Sequence, residues 1–391
     1  MIERVTLRQY KRSMRIIVTG LVGQYAFGGV AWDYLQFVGG FRQLGHEVLY
    51  VEDTGRWPYD PVQATYSADC SYSVRFLRMV MDQLGLGDQW VYRNGADDSF
   101  HGLTETQWRG FCRDARLFLN LSASSMIRPE YATIPHRVLV DTDPMFTQLS
   151  ITPPYIQAHN HFATFAENIG QPDCRVPKLG LTWVTTRQPV VLEWWPLPCN
   201  PPRPVWTTVM NWVSYKPVEH NGETWGQKDV EFRKFLDLPA RSGETFEIAC
   251  GRGPGNTRPT ELLRQHGWQI VEPDERLPDP WSYRDYLATS RGEWSVAKEG
   301  YVKSRSGWFS CRSACYLALG RPCVLQDTGW TRSYPTGHGL WAFQTIEEAV
   351  TALHRVRDDY TVQSHAARRI AEQYFDARLV LQKLLDELGI R

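Results

Sequence analysis

The sequence predicts an α/β protein made of two doubly wound, Rossmann-like domains that face one another. Three observations predict it. Short apolar strands alternate with amphipathic helices in two separate runs, a proline- and tryptophan-rich seam lies between the runs, and helical pattern alone closes the chain. The expected division is an arm over residues 1–13, an N-terminal domain over 14–195, a C-terminal domain over 196–372 and a helical end over 373–391.

The first run opens with Arg15-Ile-Ile-Val-Thr19 as a strand, then a turn bearing Gly20, Gly23, Gly28 and Gly29, then a helix over 30–44. Gly45-His46 ends that helix, and Glu47-Val-Leu-Tyr-Val-Glu-Asp53 is the second strand, so strand, helix and strand open a parallel sheet. Helical pattern returns over 73–84, and 117–121, 137–141 and 161–165 are further buried strands. Between Lys178 and Pro204, prolines and tryptophans crowd together and disfavour both a helix and a central strand, which places the interdomain linker there. In the second run, strands at 205–210, 245–250, 268–271, 292–297, 323–326 and 339–343 alternate with helices at 228–236, 259–266, 281–290, 310–319 and 345–356. Helices over 361–374 and 377–388 finish the chain.

Composition removes several function classes. Forty-three lysines and arginines balance 43 aspartates and glutamates, so no net field holds the chain on a nucleic acid or an anionic membrane. Hydrophobic content of 42% with 22% charged residues is that of a globular protein rather than a disordered or fibrous one. Sixteen tryptophans, 18 tyrosines and 16 phenylalanines supply flat amphipathic surface suited to sugar rings and planar ligands, or else to large cores. Arg4, Arg8, Lys11, Arg12 and Arg15 before the uncharged stretch 16–32 imitate a secretory signal, but that stretch is glycine-rich and lacks a small-x-small cleavage site. The eight cysteines form no CxxC pair and no zinc spacing, so a reducing, cytoplasmic setting is expected.

The most informative segment runs from Glu293-Trp-Ser-Val-Ala-Lys298 through Lys303, Arg305, Gly307, Ser310, Arg312 and Ser313 into Ala314-Cys-Tyr-Leu-Ala-Leu-Gly320-Arg-Pro-Cys-Val-Leu. A strand, a basic loop, a glycine and a serine-led helix make an anion site: the helix offers unsatisfied N–H groups, Ser310 and Ser313 offer hydroxyls, and Arg312 can clamp bidentately. Gly307 allows close backbone approach.

A serine-rich helix start that leaves as Leu-Ala-Leu-Gly-Arg-Pro-Cys-Val resembles the donor-binding domain of GT-B glycosyltransferases. Over nearly the full length from Met14 the chain is similar to a group of bacterial glycosyltransferase-like proteins of poorly defined acceptor. The likeness lies in Gly28-Gly-Val-Ala-Trp-Asp-Tyr-Leu-Gln36, Leu44-Gly-His-Glu-Val, Glu52-Asp-Thr-Gly, Asp141-Thr-Asp-Pro144, Glu167-Asn-Ile-Gly170 and Gln326-Asp-Thr-Gly329. The resemblance implies that the C-terminal domain holds a nucleotide-diphosphate sugar, with UDP among the candidate nucleotides. It also implies that the N-terminal domain offers a small-molecule or lipid-linked acceptor and that the last helix crosses back to that domain. Many retaining members carry two glutamates eight positions apart around this helix. Here Glu293 and Glu299 lack that spacing and Ser306, Cys311 and Ala314 occupy candidate places, which leaves the stereochemical outcome open.

Transfer with inversion needs a base for the acceptor hydroxyl and positive charge for the departing diphosphate. Asp33, Asp143 and Glu167 are the candidate bases, each near the carboxyl end of a strand or the glycine turn; Lys298, Lys303, Arg305 and Arg312 are the leaving-group candidates. Gly28, Gly29 and Asn211 are expected on the donor, and Asp327 and Thr328 on its sugar hydroxyls. Asp141-Thr-Asp143 imitates a metal-holding Asp-x-Asp, and His159-x-His161 pairs two imidazoles, yet the basic loop supplies charge without a metal and a third zinc ligand is not evident. The expectation is therefore a metal-independent enzyme without a cofactor, no nucleic-acid partner and no membrane span. Three alternatives stand beside it. A nucleotide-sugar epimerase keeps the fold, and a non-catalytic nucleotide-sugar binder shows no turnover. An NAD-dependent oxidoreductase would use the Gly20-to-Gly29 turn with Glu52 or Asp53 on a ribose. Gly251-x-Gly253-x-Gly255 is a lone glycine loop, as much a turn as a phosphate contact.

Overall fold

A computed structural model describes residues 13–251 and 257–391. Residues 1–12 of the arm, with Arg4, Arg8, Lys11 and Arg12, and Gly253 and Gly255 of the glycine loop lie outside the described residues.

The first half builds a sheet from β1 (Arg15–Thr19), β2 (Glu47–Glu52), β5 (Trp90–Arg93), β6 (Phe100–Gly102), β7 (Leu117–Leu121), β8 (His136–Asp141), β9 (His161–Thr164) and β10 (Trp183–Thr185), with a small hairpin, β3 (Tyr59–Asp60) and β4 (Thr65–Tyr66), beside it. The order is β10-β9-β8-β7-β1-β2-β5-β6, parallel throughout except for β6. The second half builds a wholly parallel sheet, β15-β14-β11-β16-β17-β18, from β11 (Val205–Asn211), β14 (Thr245–Gly251), β15 (Gln269–Val271), β16 (Gly292–Ser295), β17 (Cys323–Gln326) and β18 (Leu340–Phe343). A second hairpin joins β12 (Val218–His220) to β13 (Glu223–Trp225). In each sheet the chain winds outward from the first strand and then returns to its other side, so strand order reverses between β1 and β7 and again between β11 and β16. Open α/β sheets bind ligands beyond the carboxyl ends of the strands at such reversals.

Central strands are legible because they are buried on both faces and are written as apolar runs; Ile16, Ile17 and Val18 are each 0% exposed. The elements that sequence pattern did not indicate are short or peripheral; they include β5, β6, the helix Glu105–Asp114, the two hairpins and one- to two-turn helices such as Phe146–Ser150 and Glu299–Ser304. The proline-rich seam also differs from expectation, because Trp183–Thr185 inside it pairs with β9 as the last strand of the first sheet. An edge position tolerates the prolines around it.

Much of the aromatic content is core. Trp206, Phe232, Phe246, Trp268, Trp294 and Phe343 pack together in the second half, with Trp294 stacked on Phe343 at 5.6 Å between centroids. The final helix, Ala377–Glu387, lies on the helix Gly28–Gln43; a Cβ at Gly40 would come within 2.6 Å of Leu381 and 2.8 Å of Ala377.

Candidate active site

The two sets of strand ends enclose a cleft of about 430 Å³, within the range of small-molecule sites. The first half lines it with Phe27, Gly28, Gly29 and Asp33 at the start of the helix Gly28–Gln43, and with Ser122, Thr142 and Asp143 just past β7 and β8. From the second half come Asn211, Ser214, Lys228, Gly251, Lys298 and the start of the helix Cys311–Ala318, with Ser310, Cys311 and Arg312.

Asp33 faces this cleft, and burial pushes its carboxyl up to about 7 against the opposing pull of Arg312 and a hydrogen bond from Cys311. It is therefore poised to gain or lose a proton near neutrality. Opposite it, Lys228 makes no hydrogen bond or ion pair with a described residue. Burial, with added repulsion from Arg312 and Lys298, moves its ammonium well below the usual lysine range. A cation without a partner among the described residues of a cleft is a cation for an anionic ligand. Ser310 starts the helix Cys311–Ala318 without its side chain capping it, so the first N–H groups point at the cleft uncapped by their serine.

Many solved structures share this architecture, and three of them illustrate it. They are HepE from Anabaena in complex with UDP-glucose (11% identity, 96% of this chain and 99% of that chain, TM-score 0.58), an alpha-glucosyltransferase in complex with UDP and a 13-mer DNA (12%, 96% and 99%, 0.51) and sucrose-phosphate synthase from Thermosynechococcus elongatus (11%, 97% and 99%, 0.51). The chain has the GT-B fold. No protein-family model and no curated protein matches it.

Within the GT-B fold, several residues expected on substrate are committed to holding the two Rossmann-like domains together. Asp143 accepts from Lys298 at 2.9 and 2.8 Å, from Tyr215 at 2.6 Å and from Tyr301, so it is a cross-cleft anchor rather than a free base. Lys298 is thereby spent on Asp143, and its ammonium sits over the Tyr215 ring at 4.4 Å. Glu167 lies outside the cleft, paired with Arg187 at 2.5 Å and with the hydroxyl of Tyr334; burial raises its carboxyl.

Gly307 allows close approach, but of the first domain rather than of a diphosphate: a Cβ there would come within 2.8 Å of Asn168. Asn168 donates to the carbonyls of Arg305 and Gly329, so the Glu167-Asn-Ile-Gly and Gln326-Asp-Thr-Gly segments meet each other. Asp327 accepts from the amide of Gly329 and closes its own turn, and Thr328 donates to the carbonyl of Trp308. Lys303 pairs with Glu223 at 2.9 Å beside Trp225, and Arg305 with Asp173, both away from the cleft.

Arg312 lines the cleft, yet its guanidinium is held from beneath by Glu293 at 2.5 Å, Val209 carbonyl at 2.6 Å and Ser295 at 2.6 Å. It is a buried strut, not a free clamp. Ser313 is fully buried with its hydroxyl unpartnered, against a small void of about 20 Å³ rather than the cleft. Gly28 and Gly29 do line the cleft, where they also let the first helix touch the second domain: a Cβ on Gly28 would sit 2.2 Å from the Asp279 carbonyl oxygen. Asn211 and Ser310 line the cleft wall.

The acids of the dinucleotide alternative are occupied. Glu52 is pushed up to about 7 by burial and accepts from Gly23 N–H and Tyr50, both at 2.8 Å, while Asp53 takes Arg128 in a two-bond fork at 2.7 and 2.8 Å. Asp141 is likewise turned inward onto Gln148 and Thr164. Among the described residues no group of three or more His, Cys, Asp or Glu side chains is placed to hold a metal ion, and no helix is long and apolar enough to cross a membrane.

Sequence reasoning missed Lys228, Ser214 and Tyr215. The rule that singled out Asn211 would have reached Ser214 and Tyr215, which follow β11 directly, but not Lys228, which starts a helix beyond the β12–β13 hairpin.

Proposed function

We propose that the chain is a glycosyltransferase that moves a sugar from a nucleotide-diphosphate donor to an acceptor hydroxyl inside the interdomain cleft. The observation that carries it is the pairing, across one cleft, of a Lys228 ammonium without a partner among the described residues with a carboxyl at Asp33 that titrates near neutrality. UDP, present in the HepE and alpha-glucosyltransferase complexes, is the first nucleotide to test.

In this reading the second domain, 196–372, holds the diphosphate between Lys228 and the N–H groups that begin the helix Cys311–Ala318, with Ser214 and Asn211 alongside. As the bond from the anomeric carbon to the diphosphate breaks, Lys228 offsets the charge that develops on the leaving oxygen. Asp33, on the first domain, takes the proton of the attacking hydroxyl as the new glycosidic bond forms. No metal and no further cofactor enters, because a lysine and helix N–H groups supply the charge.

Thermal unfolding with UDP, dTDP, GDP, their glucose conjugates, NAD and NADP tests the donor assignment. A ligand at about 100 times its Kd stabilises by about 2.7 kcal/mol, several degrees at this size. A shift with one nucleoside diphosphate and its sugar, followed by release of that diphosphate in 5 mM EDTA (~5 mM, ample over trace metal), is the expected result. A shift with NAD alone would overturn it.

A further inference from the structure

At the mouth of the cleft the segment that ends in Phe27 carries a second structure. The Gln24 carbonyl accepts the Tyr59 amide at 3.0 Å, the Gln24 side chain donates to the Trp57 carbonyl at 2.6 Å, and Tyr25 bridges Tyr59. The hairpin β3–β4 is thus fastened to the same turn whose last residue lines the cleft. Phe27, Tyr59 and Tyr66 follow one another outward, with ring centroids 5.8 and 5.5 Å apart. Tyr66 is 54% exposed and Trp57, at the hairpin's base, 52%.

Large aromatic rings left half in water serve no core, and a contiguous patch of them marks a binding surface. The chemistry of the rim identifies the ligand. The Tyr25 phenol lies near the Tyr66 hydroxyl and the Arg56 guanidinium, so ring faces stand beside hydroxyl and guanidinium edges. Such a surface matches a ligand with apolar faces and a polar perimeter. Asp60 and Asp69, on the same hairpin and its exit, offset Arg56 and Arg75, so the ledge has no cationic excess to hold an anionic lipid surface.

Resting on the transferase reading, we infer that this ledge is the acceptor subsite and that the acceptor is a saccharide. Its rings stack on Tyr66, Tyr59 and Trp57 while its reactive end passes Phe27 into the cleft.

Saturation-transfer NMR with maltotriose, cellotriose and chitotriose, run on the wild type and on the double variant Trp57→Ala/Tyr66→Ala, tests this, with UDP thermal shift measured in parallel. Both side chains are exposed, and an unchanged UDP shift certifies the variant's fold. The expected result is saturation of at least one trisaccharide by the wild type, weakened about tenfold or more in the variant, roughly the loss of one good contact. Absence of saturation by all three while UDP still shifts the wild type overturns the ledge and leaves the donor site standing. Saturation that the double variant does not weaken overturns it too, as does binding to phosphatidylcholine–phosphatidylglycerol vesicles that the variant abolishes. Loss of the UDP response alone, with the ledge still binding saccharide, overturns the transferase reading instead.

Discussion

Lys298 Nζ donates to both carboxylate oxygens of Asp143, at 2.9 and 2.8 Å, across the line where the two domains meet. Tyr215 and Tyr301 complete the set, so the carboxylate has three donors and the ammonium has rings around it. Lys298→Met or Asp143→Asn strands the other partner in a half-buried place, and each lowers the unfolding free energy by about 2–4 kcal/mol. The double variant loses less than the sum, which denaturant titration of the four proteins reads as a coupling energy. If Asp143 were instead the base, its asparagine variant would lose turnover while keeping full stability.

Lys228 shows the opposite pattern. Removing a desolvated cation that no described residue pairs with relieves a cost in the free protein, so Lys228→Ala leaves the unliganded Tm unchanged or raises it. Its UDP affinity falls by roughly 1.5–3 kcal/mol, the worth of a charge-assisted hydrogen bond. Isothermal titration decides; equal UDP affinity in wild type and variant would remove Lys228 from the diphosphate site.

The contrast between these lysines explains what could be read in advance. Strands such as Ile16-Ile-Val18 declare themselves because burial on both faces needs an unbroken apolar run, and strand–turn–helix order then carries Asp33 to the cleft. Lys228 begins a short helix like any surface lysine, and only the fold shows that no described residue makes a hydrogen bond or ion pair with it. Arg312 failed in the reverse direction. Its partner Glu293 comes from the adjacent strand β16, and no local pattern announces that the two will meet. Glu167 and Asn168 stood out as a motif, but their chemistry is that of a joint between domains, and a sequence does not distinguish a carboxylate that grips a substrate from one that grips Arg187.

Arg312→Ala accordingly acts on stability before binding. It leaves Glu293, 0% exposed, without its guanidinium, for a loss of about 3–5 kcal/mol. Arg312→Lys recovers little, because one ammonium cannot reach Glu293, the Val209 carbonyl and Ser295 in the fork geometry of arginine. Urea midpoints measure both; a stable Arg312→Ala protein with weakened UDP binding would restore the direct-clamp role.

Asp33 couples activity to pH. Its folded carboxyl titrates at about 7, above the ordinary 3.8, so the folded protein favours the protonated form. The stability this group contributes is full below about pH 4 and is lost as pH rises through 7. Asp33→Asn mimics the neutral form, so its Tm advantage over wild type grows from about zero at pH 4 to several degrees at pH 8, since one pKa unit is worth about 1.4 kcal/mol. Turnover runs the other way: wild-type kcat/KM rises with pH and levels above about 7, and the variant loses about 10²–10⁴-fold. A pH–rate profile flat between 5 and 8 (~5 to ~8, spanning the expected limb) would rule out Asp33 as the base.

Gly28 tests whether the domains must touch for the cleft to work. An added Cβ meets the Asp279 carbonyl oxygen at 2.2 Å and its carbon at 2.7 Å, both backbone atoms that no rotamer change can move. At Gly29 the nearest atom is 3.0 Å away and belongs to the Tyr283 side chain rather than to backbone. Gly28→Ala therefore costs about 1–3 kcal/mol of overpacking and pushes the first helix off the second domain, whereas Gly29→Ala costs less. Because Asp33 rides on that helix and Lys228 on the other domain, the same displacement separates proton acceptor from diphosphate. Small-angle scattering of Gly28→Ala should show a larger radius of gyration, and kcat should fall further than UDP affinity, since UDP needs only the second domain while transfer needs both. An unchanged kcat with the helix displaced would mean that the chemistry does not draw on Asp33 and that the base lies on the donor side.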